Sequence, residues 1–220
     1  MRNFSHWNSY LNELAEDVYP SPSDEQHTIQ LKSYLRRWGH YFKDAKTVLD
    51  VGCGDDAVAE KLFDSLGLKY TGVSLGTPTE HAVQADFSFL SEYNSNSYGM
   101  IFSRHSLEHS PAPLLTLMEW HRVSSGLLGL VVPNPENVTY AGRNHYSVAD
   151  KHQIVWWLRR AGWQIVVARF MKKEFQFVCK KKPRISYEGY VSAPLLHDVH
   201  AFERDALDIT DEDILFGNMQ

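Results

Sequence analysis

Several things are scarce in this sequence, and each scarcity removes a class of protein. Cysteine comes first: 220 residues contain two, Cys53 and Cys179. One lies in a glycine turn and one in a late apolar run, which makes neither a disulfide framework nor a metal-ligand spacing. Apolar runs are short, and none approaches the roughly 20 residues that cross a bilayer. The opening Met1-Arg2-Asn3-Phe4-Ser5-His6 lacks an apolar stretch of the signal-peptide kind. The expectation is a protein of the reducing cytoplasm with no membrane insertion. Excess positive charge is also missing. A formal charge of −5 argues against bulk nucleic acid as the main partner. What is left is ordinary: 43% apolar, 22% charged, and a length that suits one α/β domain with extensions.

The charge is unevenly placed. From Pro183 onward two basic residues, Arg184 and Arg204, stand against eight acidic ones, so residues 183–220 read as a separate acidic tail. Basic pairs and runs at Arg159-Arg160, Lys172-Lys173 and Lys180-Lys181-Lys182 fit turns and strand ends kept soluble by charge.

The most informative stretch is Val48-Leu49-Asp50-Val51-Gly52-Cys53-Gly54. Val48 to Val51 suits a short buried parallel strand, broken only by Asp50. Gly52 and Gly54 then interrupt it, and Ala57, Val58, Leu62 and Leu66 resume at helical spacing. Strand, glycine turn and helix in this order open a nucleotide-binding α/β fold. A carboxylate at the tip of a buried strand is costly without partners, which places Asp50 at a ligand site rather than in the core.

Around this unit the periodicity predicts a helix over 4–19, carrying Phe4, Trp7, Tyr10 and Leu14 on one face and stopped by Pro20 and Pro22. A second helix is predicted over 24–42, with Ser23 and Gln26 as a capping box. Strands are expected at 69–74, 82–85, 98–103, 126–132, 163–170 and 174–179, and helices at 114–123 and 148–161. Alternating strands and helices imply a parallel sheet covered on both faces. The last two strands, joined by a short basic turn, must be antiparallel to each other. The fold class is therefore α/β: a Rossmann-like, seven-stranded, mostly parallel sheet with one antiparallel strand, helices on both faces and an N-terminal helical extension.

The string Leu-Asp-Val-Gly-Cys-Gly resembles the first motif of class I S-adenosylmethionine-dependent methyltransferases. Gly99 to His109 resembles that family's fourth strand and following loop, and Leu130-Val131-Val132-Pro133-Asn134-Pro135 the exit of its fifth strand. His145-Tyr146-Ser147 before a helix ending Ala161-Gly162-Trp163 is similar to the small-molecule, quinone-biosynthesis-like branch, methyltransferase type 11. The resemblance spans roughly Lys46 to Cys179. It implies a lid or extension over 1–43, a methyltransferase core over 44–182 and the tail beyond. It also implies S-adenosylmethionine as cofactor and S-adenosylhomocysteine as product. Asp50, Gly52, Cys53 and Gly54 would hold the methionine end. Ser74 and Leu75 would lie at the ribose, Asp86 and Phe87 at the adenine, with Ser103 and Arg104 closing over the cofactor. His105 would be a substrate-facing base. His145 and Tyr146 would line the acceptor pocket, as would Trp7 if the first helix is a lid.

Two departures stand out. Asp56 occupies the place of a third glycine. The second strand ends in Val73-Ser74-Leu75, where the family has an acid that bridges two ribose hydroxyls. A charge-assisted bond contributes roughly 1.5–3 kcal/mol against about 1 for a neutral one. The loss is therefore about 1–2 kcal/mol, or on the order of ten-fold in affinity. Glu80 is the nearby substitute to consider. No metal is expected: His105 and His109 are four apart, but Glu108 precedes the second histidine rather than following the first, and Pro111 and Pro113 stand just beyond. His109 is read as holding its loop, and His121 and His152 as helix-face residues. The function expected is methyl transfer to a small-molecule acceptor, with a homodimer through the N-terminal helices or the tail left open. The rival readings are a non-catalytic binding protein with a weakened cofactor site, and an RNA or protein methyltransferase.

Overall fold

The computed structural model describes residue 9 and residues 25–54, 57–75, 78–136 and 145–183. The helix expected over 4–19 with Trp7, the Ser23 cap, Asp56 and the acidic tail beyond 183 lie outside the described residues.

Seven strands form one sheet: β1 (Thr47–Val51), β2 (Lys69–Ser74), β3 (Ala82–Gln84), β4 (Tyr98–Arg104), β5 (Ser124–Pro133), β6 (Trp163–Phe170) and β7 (Glu174–Lys181). Their order is β3-β2-β1-β4-β5-β7-β6. β7 runs antiparallel to both neighbours, and the pairs from β3 across to β5 are parallel. Among the described residues four α-helices accompany the sheet: α1 (Glu25–Trp38), α2 (Ala57–Asp64), α3 (Pro113–Val123) and α4 (Lys151–Ala161).

Side chains alternate across each strand, so one apolar run serves two cores. Leu49, Val51, Ile101, Leu128, Leu130 and Phe177 pack against Leu117, Trp120, Ile154 and Leu158 of α3 and α4. Val48, Met100, Phe102, Val131 and Val178 pack the other way, against Leu31, Tyr34, Leu35, Trp38, Ala59 and Phe63. α1 is therefore one wall of the second core. Its Tyr34 hydroxyl donates to the Phe177 carbonyl at 2.8 Å. The described end of the expected N-terminal extension thus shares a core with the sheet.

Element boundaries differ from the sequence reading for local reasons. The second predicted helix ends at Trp38, and Gly39–Phe42 tightens to a 3₁₀ turn, glycine being a poor helix-interior residue. α4 begins at Lys151 rather than 148 because the Asp150 side chain accepts from the Gln153 amide at 2.9 Å and caps it. Residues 145–150 stay outside any regular element as a result.

Candidate active site

Strand order reverses at β1, with β2 on one side and β4 on the other, and in open α/β sheets ligands sit beyond the strand ends at such a point. After β1, Gly52 (φ +76°) and Gly54 (φ +65°) adopt the left-handed conformation that glycine takes without strain. The amides of Gly52 and Cys53 both donate to the Val73 carbonyl, at 2.8 and 3.0 Å, pinning the turn to β2. A Cβ built on Gly52 would lie 2.1 Å from Ser106 Oγ and 2.5 Å from Ser106 Cβ. Glycine is thus required here by the β4 loop pressing on the turn. Ser106 Oγ in turn donates to the Gly52 carbonyl at 3.3 Å.

Asp50 is buried and has a partner that sequence reasoning missed: the Tyr70 hydroxyl donates to its Oδ2 at 3.0 Å. Burial, then the neighbouring Asp50 and Cys53, pushes the Tyr70 pKa far above the usual phenol range, so the hydroxyl stays a donor. Tyr70 reads in sequence as one alternating position of β2, with no signal of its own. At the end of β2, Ser74 is buried, and its carbonyl accepts from Ala85 at 3.0 Å. Glu80 turns elsewhere: its side chain is 85% exposed and pairs with His81 at 3.1 Å, while the other ring nitrogen of His81 meets Glu60 at 2.6 Å. After β3, Asp86 Oδ1 accepts from the Ser88 amide at 2.7 Å. Burial raises the Asp86 pKa against the opposing pull of the Ser88 bonds. Phe87 is buried in the core, its carbonyl accepting from Trp120 Nε1 at 2.8 Å.

β4 ends in the densest polar cluster. Ser103 is fully buried, and its hydroxyl has no hydrogen-bond partner among the described residues. His105 holds φ +53°, a left-handed conformation that is strained for a non-glycine residue. Its amide donates to Val131 at 2.9 Å. Its ring lies between two buried carboxylates, with Nδ1 3.3 Å from Glu108 Oε1 and Nε2 3.2 Å from Glu174 Oε2. Burial works against a charged ring, but contacts with the two glutamates outweigh it and raise the pKa to about 9. Behind Glu174, Gln176 donates to its Oε1 at 2.7 Å and accepts from Trp38 Nε1 at 3.2 Å, linking the β4 tip to α1.

Glu174 was also missed by sequence reasoning. Because β7 is antiparallel, its first residue lies at the edge where the parallel strands end, and Glu174 pairs with Pro133 at the tip of β5. A carboxylate opening an otherwise apolar strand was the available signal. The segment before α4 is held to the same place. Ser147 donates its amide to the Glu108 carbonyl at 2.9 Å and its hydroxyl to the Ser110 carbonyl. His145 consequently stands edge-on to His109, ring centroids 4.6 Å apart at 70°.

Residues 24–168 match the profile of a family described as a methyltransferase domain. The chain belongs to this family. It is 26% identical over 162 residues to phosphoethanolamine N-methyltransferase 3 of Arabidopsis thaliana, a match covering 64% of this chain and 33% of that protein. The chain thus spans about a third of that relative's length. In three dimensions it is similar to an SAM-dependent methyltransferase from Archaeoglobus fulgidus, with TM-score 0.60, 17% identity, and 70% of this chain and 94% of the other covered. It is also similar to the cyclase SpnF, with TM-score 0.58, 15% identity, and 81% and 93% covered.

In this chain, Asp50, Gly52, Cys53 and Gly54 lie at the end of β1, Ser74 and Leu75 at the end of β2, Asp86 and Phe87 follow β3, and Ser103, Arg104 and His105 lie at the end of β4. The fold therefore brings these positions to the ends of four consecutive sheet neighbours. His145 reaches the same edge through Ser147, with the half-buried Tyr146 beside it, while Trp7 lies outside the described residues. His121 is a structural residue of α3: it contacts the Lys182 carbonyl at 2.7 Å and stands edge-on to Trp163.

Proposed function

We propose that this methyltransferase transfers a methyl group from S-adenosylmethionine to a small-molecule acceptor held above the ends of β1 and β4. The observation carrying the reading is the glycine turn of a methyltransferase-family chain, lying at the point where strand order reverses. The donor set suits the cofactor. Asp86 has one oxygen on the Ser88 amide, and the buried Ser103 hydroxyl has no hydrogen-bond partner among the described residues. Bound S-adenosylmethionine supplies an electrophilic methyl on a sulfonium. The chain's task is alignment and exclusion of water, since positioning alone supplies much of the rate in such displacements. That the curated relative is named for phosphoethanolamine supports a small acceptor.

The role expected of His105 changes. A ring charged at neutral pH, with both nitrogens against carboxylates, has no lone pair for an acceptor proton. We assign it to holding the β4 loop, with the acceptor deprotonated before or without it.

Calorimetric titration with S-adenosylhomocysteine, followed by a metabolite-mixture screen with radiolabelled donor, tests the reading. Micromolar binding and labelled small-molecule product are expected; no binding at millimolar ligand would overturn it. The rival is a binding protein on the same fold, and two observations favour it. Ser74 stands where an acid bridges the ribose, and Glu80 is turned away. SpnF adds that this fold also carries other chemistry. Binding without any labelled product would favour that rival.

A further inference from the structure

We propose that Glu108, His109 and His145 form a binding site for one first-row divalent cation, zinc being the reference ion. One ligand atom from each lies within 4.8 Å of the other two. The sequence argued against a metal because His105 and His109 do not make a helical ligand pair. His105 is not in the set. The third ligand is His145, brought in by the segment ahead of α4.

The second observation is Glu108 itself. Its side chain is 1% exposed, and neither carboxylate oxygen accepts a hydrogen bond among the described residues. The His105 ring at 3.3 Å is a charge contact to Oε1 outside hydrogen-bond geometry. A buried carboxylate with unfilled lone pairs is costly, and a bound cation is one of the few ways to satisfy it.

The site is also built. The Ser147 amide bond to the Glu108 carbonyl and the Ser147 hydroxyl bond to Ser110 fasten the His145 segment to the His109 loop. His105, backed by Glu174, fixes the Glu108 carboxylate from behind, as outer partners of metal ligands do. Ligand atoms about 2.0–2.1 Å from a tetrahedral zinc sit about 3.3 Å apart, so closure needs side-chain shifts of about 1 Å or less. Both histidines are half-buried, which leaves an entry path. Two imidazoles and a carboxylate suit zinc and its neighbours rather than magnesium or calcium. Three protein ligands leave a position for water or an acceptor oxygen. That last role, unlike ion binding, rests on the methyl-transfer reading.

The test is titration of the tag-free, chelator-stripped full chain with Zn²⁺ by calorimetry and with Co²⁺ by visible absorption. One equivalent is expected, with Co²⁺ bands of low coordination number. His109→Ala, His145→Ala and Glu108→Gln should each weaken binding at least ten-fold, while His152→Ala, exposed on α4, should leave it unchanged. Glu108→Gln preserves shape, and His145 is only half-buried, so these two variants decide the matter if His109→Ala fails to fold. Wild-type binding well below one equivalent, or unchanged by both histidine variants, would overturn the site. Each protein is also titrated with S-adenosylhomocysteine. Ion binding without cofactor binding would sink the donor reading and keep the metal site; the reverse would do the opposite.

Discussion

His105 combines strained backbone, burial and two anionic neighbours, and its charge is coupled to stability. Its pKa is raised from 6.5 to about 9, so its contribution is full below about pH 6.5 and fades as pH rises through about 9. Glu108 has the opposite sign: its pKa is lowered, so its contribution fades as pH falls below the ordinary carboxylate range. In chelated buffer the thermal midpoint should drop between pH 6.5 and 9.5, and His105→Gln should flatten that slope. An equal slope in the variant would show that the ring is not charged in the native state. Gly52 gives a second prediction. Alanine there costs about 1–2 kcal/mol for the left-handed backbone. It also meets Ser106, whose Cβ at 2.5 Å no rotamer change removes. Gly52→Ala should therefore lower stability by about 2–5 kcal/mol, and in a Ser106→Gly background by only about 1–2. Equal costs in the two backgrounds, measured by urea denaturation, would mean that Ser106 does not set the requirement for glycine.

At the scale of elements, the antiparallel strand does more than close the sheet. Reversing β7 delivers its first residue, Glu174, to the ligand edge, where a parallel strand would deliver its last. α1 is likewise part of the machinery. Tyr34 bonds to β7, and Trp38 reaches Glu174 through Gln176. Removing residues 1–43 would strip Leu31, Tyr34, Leu35, Trp38 and Phe42 from a shared core at about 1.5–3 kcal/mol per side chain. The total, about 7.5–15 kcal/mol, is as large as the roughly 5–15 kcal/mol stability of a typical domain. The truncated protein should fail to fold, by circular dichroism and proteolysis. A cooperative melt from residues 44–220 would mean that residues 1–43 are an addition to a core that folds without them.

At the scale of the whole molecule, the expected boundary at the acidic tail is open to a direct test. The chain is fastened up to Lys182, whose amide donates to the Gly162 carbonyl at 2.9 Å and whose carbonyl meets His121. Lys181 Nζ adds bonds to Asn96 and to the Ser124 carbonyl, at 2.7 and 2.6 Å. Truncation after Pro183 should leave a soluble core whose melting midpoint and S-adenosylhomocysteine affinity stay near those of the full chain. A collapse in either would make residues 184–220 part of the core. Among the described residues no helix is long and apolar enough to cross a membrane. Sedimentation of the truncated and full chains, compared at matched concentration, would show whether the acidic segment joins two copies.

The sequence by itself determined the order of strands and helices, the antiparallel pairing at the end and the edge where ligands bind. Those features follow from periodicity, glycine turns and connection lengths, which are local properties of the chain. It also marked Asp50, Gly52 and His105 as unusual positions. It did not show that the His105 ring lies between two carboxylates, that Tyr70 serves Asp50, or that Ser106 fixes Gly52. Nor did it place His145 beside His109 and Glu108. Each of these depends on side chains far apart in the chain, brought together by strand register and by one reversed strand. Charge state in particular is a property of the buried neighbourhood, and only tertiary structure assembles that neighbourhood.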